Sequence, residues 1–415
     1  MSKKILMISQ NFYPEIGSAG NRAKNIYLLL KQKGYDITVL STEPSYPNKK
    51  IYDDLSFWDD ELVNDEDVRR VKIKNRKYSQ SVINRLIYYI EISLRMLIFI
   101  FKDKSTYDVI FVTSPPIFIG LVGFYAKQHY KSKLILDIRD LWPESLKGVG
   151  LFNYPPVIYL FRKIEKTMYK KANAITVNSK GFIDYITNDA KTPNEKITYI
   201  PNGARHSEIS ISVTKQQDKN VVYVGNLGLA QDVHIIMELS KLLNKYNISL
   251  DIIAYGMKQK EFVHFVKKHN LTNVHFISPK TRRDCLNLIS NYQVGLVTLT
   301  TEDVFETVLP GKIIDYMTCG IPIVGAVSGY SKEVITRENV GFVSESQNPN
   351  EMLKHILRII DSREIQNLFH KNAKNVVRSN FMWEKNIKVL IQVIESVTGE
   401  KYGEEVKYTD KAETG

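Results

Sequence analysis

Cysteine is nearly missing from this chain: Cys285 and Cys319 are the only two in 415 residues. That scarcity excludes a disulfide framework and a cysteine-built metal site, and it suits a reducing cytoplasm. The eight histidines, scattered from His129 to His370, offer no acid–base constellation. The start carries no signal-peptide pattern, because Met1-Ser2-Lys3-Lys4 runs directly into a short apolar segment, Ile5–Ser9. The single Asp-x-Asp match, Asp65-Glu66-Asp67, lies in an acid-rich insertion rather than at a strand end; it reads as a solvated charge run, and no metal is expected. No helix-turn-helix or single-strand-binding pattern occurs, which argues against a nucleic-acid partner. The strongly apolar stretch Ile83–Phe101 carries Arg85, Glu91 and Arg95, charges too costly in a bilayer for a transmembrane span.

What is present is a globular composition, 43% apolar and 25% charged, long enough for two or three domains. The net charge of +12 is localised. Val68–Lys104 holds ten Lys/Arg against two acids, and Phe161–Lys171 five against one, so these two stretches carry the whole excess. Concentrated basic patches suit a polyanionic surface such as an anionic lipid leaflet.

Short apolar runs alternate with helical patterns along the chain. Lys4–Ser9, a loop with Gly17 and Gly20, the helical pattern Ala23–Lys33 and then Tyr35–Ser41 make a βαβ unit. The glycines fall where a phosphate or sugar approaches the backbone, although the full Gly-x-Gly-x-x-Gly spacing is lacking. Buried-strand patterns recur at Asp108–Thr113, Lys133–Asp137, Ala174–Asn178 and Ile197–Ile200. Residues 205–220 are polar and aperiodic, a linker. The pattern then restarts at Asn220–Val224 with a second glycine loop, Gly225-Asn226-Leu227-Gly228. The reading is α/β: two doubly wound Rossmann-like domains, 1–204 and 221–380, facing a central cleft. A helix at 381–397 is expected to return to the first domain, ahead of a polar tail, 398–415.

Three stretches carry candidate chemistry. Thr307–Pro322 reads TVLPGKIIDYMTCGIP, a short helix opened by Pro310-Gly311-Lys312 and closed by Gly320. Its N–H groups, dipole and Lys312 suit a diphosphate, and Asp315, one turn on, suits ribose hydroxyls. Asp137–Glu144 bunches charges at the end of a parallel strand, and Asp140 is the candidate catalytic or acceptor-orienting residue there. In Ile83–Phe101, the residues Asn84, Tyr88, Glu91 and Arg95 fall on one helical stripe. Either that stripe is the wet side of a helix packed on the sheet, or the helix lies in a membrane interface.

In the order and spacing of the Gly17/Gly20 loop, the Ile200-Pro201-Asn202-Gly203 turn, the Val224–Gly228 loop and the Lys312…Asp315-Tyr316-Met317…Gly320-Ile321-Pro322 segment, the chain resembles the family-four retaining glycosyltransferases of the GT-B fold. Asp137–Glu144 resembles the subgroup of bacterial capsule, O-antigen and exopolysaccharide assembly, which includes N-acetyl-L-fucosamine transferases. The resemblance implies a UDP-sugar donor, a polyprenyl-diphosphate-linked saccharide acceptor and a peripheral position on the inner face of the cell membrane, with no metal required. It implies donor contacts from Gly17, Gly20, Gly225, Asn226, Gly228, Glu306, Pro310, Gly311, Lys312 and Asp315. Lys312 and Asp140 are the expected catalytic residues. Arg85, Arg95, Arg139, Trp142, Arg162, Lys163 and Lys166 are expected on the acceptor or membrane side. The sequence departs from the family twice. Thr307 stands where the first of two Glu residues falls, with Glu306 one place earlier, and Asp315 takes the second place. The usual Arg and Lys after the first C-terminal strand are replaced by Asn226 and Gln231, so Lys312 is expected to supply the charge. A nucleotide-sugar epimerase of the same shape and a non-catalytic membrane-associated binding protein are the alternatives.

Overall fold

A computed structural model describes residues 2–60, 62–74, 82–150, 154–210 and 219–399. The first sheet contains β1 (Lys4–Ile8), β2 (Asp36–Thr42), β3 (Val68–Val71), β4 (Val109–Ser114), β5 (Lys133–Ile138), β6 (Ala174–Val177) and β7 (Ile197–Tyr199). All pairings are parallel, in the order β3-β2-β1-β4-β5-β6-β7. The second contains β8 (Asn220–Asn226), β9 (Ser249–Tyr255), β10 (Val274–Ile277), β11 (Val294–Thr298), β12 (Ile323–Ala326) and β13 (Gly341–Val343), parallel in the order β10-β9-β8-β11-β12-β13. Continuous apolar runs such as Ile5–Ile8 are wholly buried, as a parallel sheet covered on both faces requires. Each sheet reverses its winding between its first and fourth strands, β1/β4 and β8/β11. The loops at those carboxyl ends form the crevice where such sheets bind ligands.

One face of the first sheet is covered by the helices Val82–Lys102, Ile117–Tyr130 and Pro155–Lys171, whose buried residues form one core. The other face is covered by Ser18–Gln32 and by the last helix, Trp383–Thr398, which packs Trp383, Ile387, Leu390 and Ile394 into the first domain's core. The chain therefore crosses between domains twice, and the crossings are bonded side by side. Ala204 N–H donates to Phe381 O at 2.8 Å, and Trp383 N–H donates to Ala204 O at 3.0 Å.

The segment expected to be featureless linker contains a short helix, His206–Ile209, and Asn220 already belongs to β8. Residues 211–218 lie outside the described residues. The apolar helix spans Val82–Lys102, and its faces differ from the wet-stripe expectation. Of the expected wet stripe only Asn84 is exposed: Tyr88 is buried, and Glu91 and Arg95 are half-buried in an ion pair of 2.8 Å, whereas Ile87, Ile90, Leu94, Ile98 and Phe101 are turned to solvent. Among the described residues no helix is long and apolar enough to cross a membrane.

Candidate active site

The carboxyl ends of both sheets enclose a cavity of about 330 Å³, lined from the first domain by the loop after β1 and from the second by the helix Gly311–Cys319. Two glycines set the loop. Gly17 sits at φ +100°, and a Cβ there would lie 2.9 Å from the Tyr255 hydroxyl. At Gly20 a Cβ would lie 2.2 Å from the Glu15 carbonyl oxygen, so only glycine fits. Ser18, between them, accepts a hydrogen bond from Asn202 Nδ2 at 2.9 Å and faces Gly311.

Pro310 N-caps the Gly311–Cys319 helix and Gly320 ends it in the left-handed conformation. The helix turns Ile313, Ile314 and Met317 into the second domain's core, while Lys312 and Asp315 line the cavity. The Lys312 ammonium is buried with no hydrogen-bond partner, its Nζ lying 3.7 Å from the centre of the Tyr223 ring. Burial pushes its pKa down to about 7, only partly offset by Asp315. Asp315 Oδ1 accepts from Arg282 Nη1 at 2.7 Å. Burial raises the Asp315 pKa, with Arg282 acting against it. The opposite edge of Arg282 donates to Glu208, from Nε at 2.7 Å and Nη2 at 3.3 Å. Burial would raise the Glu208 pKa, but the Arg282 charge and hydrogen bonds outweigh it and hold it below the ordinary range. Asp315 is thus fixed through an arginine to a carboxylate on the interdomain linker.

A second cavity, about 970 Å³, adjoins the first and shares Asn226, Gln231 and Tyr255 with it. Arg85, Tyr89, Asp140, Trp142 and Gly228 line it. Tyr89 packs edge-on to Trp142, ring centres 5.7 Å apart. Asp140 is half-buried, accepts from Leu141 N–H at 2.9 Å, and is pushed up to a pKa of about 6 by burial.

Gly17, Gly20, Gly225, Asn226, Pro310, Gly311, Lys312 and Asp315 therefore meet at the first cavity, and Gly228, Arg85, Asp140 and Trp142 at the second. Other expected residues stand apart. Glu306 is exposed and lines neither cavity, because its short helix, Asp303–Glu306, turns it outward beside Gly329. Arg139 donates to Pro115 O at 3.1 Å and lines neither cavity. Arg95 is paired with Glu91 and Arg162 with Glu144, while Lys163 and Lys166 are exposed on the outer side of their helix. Asp137, in the charged bunch with Asp140, is a structural group: it is fully buried in a 2.7 Å ion pair with Arg22.

Sequence reading missed Arg282, Glu208 and Glu15. The buried Glu15 carboxylate accepts from Ser45 N–H at 2.6 Å, Tyr46 N–H at 2.8 Å and Asn11 Nδ2 at 2.6 Å. It ties the glycine loop to the segment that carries Tyr46 against Tyr255 of the second domain. Burial raises its pKa to about 7.

Two parallel, doubly wound domains that place a glycine loop opposite a cationic helix start have the GT-B arrangement. Residues 17–203 match the family model described as glycosyl transferase 4-like domain, and residues 205–376 match the model of glycosyl transferases group 1. The chain belongs to the group 1 glycosyltransferases and is an enzyme of that class. It is 21% identical over 310 residues to an uncharacterized glycosyltransferase, MJ1069, of Methanocaldococcus jannaschii, a match covering 70% of this chain and 76% of the other. In fold it is similar to a sucrose-phosphate synthase from Thermosynechococcus elongatus (TM-score 0.71, 16% identity, 96% of this chain and 99% of that one). It is also similar to Anabaena Alr3699/HepE in complex with UDP and glucose (TM-score 0.67, 16% identity, 95% and 100%).

Proposed function

We propose that the enzyme transfers a sugar from a UDP-sugar, with retention at the anomeric carbon, to a polyprenyl-diphosphate-linked saccharide during capsule, O-antigen or exopolysaccharide synthesis. The sugar is an N-acetylated amino sugar such as N-acetyl-L-fucosamine, and the enzyme works at the inner face of the cell membrane. The observation that carries the donor reading is the buried Lys312 ammonium, stacked on Tyr223 but without a hydrogen-bond partner, at the start of the Gly311–Cys319 helix. A buried cation without a partner costs stability, and a diphosphate is the partner that this position suits. UDP in the Anabaena protein of the same fold supports the choice of nucleotide.

In this reading the diphosphate meets the first N–H groups of the helix and Lys312, and the ribose hydroxyls donate to Asp315. As the anomeric C–O bond breaks, its electron pair leaves on the diphosphate, where protonated Lys312 and the helix dipole stabilise it without a required metal. The acceptor hydroxyl, oriented by Asp140, forms the new bond on the same face, and its proton passes to the departing diphosphate. Asn226 and Tyr255, common to both cavities, lie where the two substrates meet. Radiolabelled UDP-sugars and a membrane lipid extract test the reading. Label should move into lipid in a chelator-insensitive reaction, and Asp315→Ala should abolish it. Transfer that stops on chelation would remove Lys312 as the sole counter-charge.

A further inference from the structure

The helix Val82–Lys102 has two apolar sides. Tyr88, Ile92, Met96 and Ile100 recur every four residues and are buried against the first sheet. On the outward side Ile87, Ile90, Leu94, Ile98 and Phe101, spaced by three and four, face solvent; Leu94 and Ile98 are 55% and 54% exposed and Phe101 is 71% exposed. Glu91 and Arg95 do not interrupt this stripe, since they pair with each other half-buried at its flank. The two neighbouring helices on the same side of the sheet also expose apolar residues. Ile117–Tyr130 packs alongside and exposes Leu121, and beyond it Pro155–Lys171 exposes Tyr159 and Leu160. Single exposed apolar residues are ordinary, but a set running across three adjacent helices marks an interaction surface.

Its border is cationic. Lys163 and Lys166 are exposed on the third helix, and Lys102 and Lys104 at the far end of the first. A second copy of the chain placed face to face would set cationic border against cationic border. An anionic bilayer instead offers hydrocarbon to the centre and phosphate to the border. We infer that this three-helix face docks on an anionic bilayer, with the Val82–Lys102 helix lying in the interface plane and its Ile/Leu/Phe stripe inserted. The inference rests on the proposed lipid-linked acceptor for its purpose: Arg85 and Tyr89, on the same helix, line the second cavity, so docking brings that cavity's mouth to the lipid surface. Apolar insertion, rather than attraction by basic residues alone, then holds the enzyme.

Flotation of the full chain with phosphatidylglycerol/phosphatidylcholine vesicles, at low and high salt, tests this, with the UDP-induced thermal shift measured on each protein. The wild type should float at both salt concentrations. Leu94→Gln/Ile98→Gln and, separately, Phe101→Ser should lower the bound fraction, the double variant by about tenfold or more. Lys163→Ala/Lys166→Ala should weaken binding only at low salt. An unchanged UDP shift shows that each variant is folded. Flotation of Leu94→Gln/Ile98→Gln equal to wild type, or no flotation of wild type, overturns the inference. So does a wild-type dimer that the double variant dissolves without any vesicle binding. A missing UDP shift in every protein, with flotation still dependent on Leu94, would sink the donor reading and leave the docking face standing.

Discussion

Arg282 holds Asp315 in place: its Nη1 donates to Asp315 Oδ1 at 2.7 Å while Nε and Nη2 are gripped by Glu208, from the linker between the domains. A planar guanidinium can serve both carboxylates at once, and a lysine ammonium cannot match that fork. Asp315 is therefore anchored to the segment that joins the two domains.

Arg282→Ala should leave two largely buried carboxylates without their cation, costing roughly 2–3 kcal/mol, somewhat below the loss for a fully buried pair. Arg282→Lys should fold yet raise the donor KM about tenfold, because it keeps the charge but not the second contact. Chemical denaturation and steady-state kinetics separate the two. A lysine variant with wild-type KM would show that the fork does not position Asp315.

Lys312→Met should weaken UDP binding by roughly tenfold to hundredfold, the range of a charge-assisted hydrogen bond, and yet stabilise the empty enzyme by about 1–3 kcal/mol by removing an unpaired buried charge. The pH dependence follows from the sign of the shift. The folded pKa, about 7, is below the ordinary 10.5, so between those values the unfolded chain binds the extra proton and stability rises with pH. The rise should be shallower in Lys312→Met. Parallel melting curves of the two proteins across that range check it.

The two glycine loops and the Lys312–Asp315 helix were legible because each is local: turn residues, a helix start and a carboxylate one turn on. The parallel sheets were legible because buried strands are continuous apolar runs. Arg282 was not, since it is 33 residues from Asp315 and the pair forms only when the helix Arg282–Ile289 is laid beside Gly311–Cys319. Glu208 was hidden in a polar segment read as linker. The faces of Val82–Lys102 were misread because Glu91 and Arg95 satisfy each other at the flank, which a stripe count takes for a wet side. Glu306 was implied by the family resemblance, but it lies exposed on a separate short helix and lines neither cavity.

The rate should depend on two ionisations in the free enzyme. Asp140, pushed up to about 6, must be ionised to orient an acceptor hydroxyl, and Lys312, pushed down to about 7, must be protonated to hold the diphosphate. A plot of kcat/KM against pH should fall on the acid side through about 6 and on the alkaline side through about 7, leaving a narrow maximum between. Asp140→Asn should lower the rate and flatten the acid limb. An acid limb that persists in Asp140→Asn would reassign it to Glu15, whose pKa is raised to about 7.

Gly20→Ala should be more damaging than its size suggests, since the new Cβ would meet the Glu15 backbone, which cannot swing aside as a side chain can. Turnover should drop at least about tenfold, with stability lowered by on the order of 1–3 kcal/mol. Gly34→Ala, at a positive-φ turn with open space around it, is the control that bears the backbone strain away from the site. Equal losses of turnover in both variants would mean that Gly20 matters only for folding.

The most direct test of the donor site is a thermal-shift panel of UDP-, GDP-, dTDP- and ADP-sugars against the wild type and Asp315→Ala. A ligand at a hundredfold over its Kd adds about 2.7 kcal/mol of stability. UDP-sugars should raise the melting temperature of the wild type, and Asp315→Ala should abolish the shift. Stabilisation by a UDP-sugar that survives in Asp315→Ala would contradict the site, and silence across the whole panel would contradict the donor class.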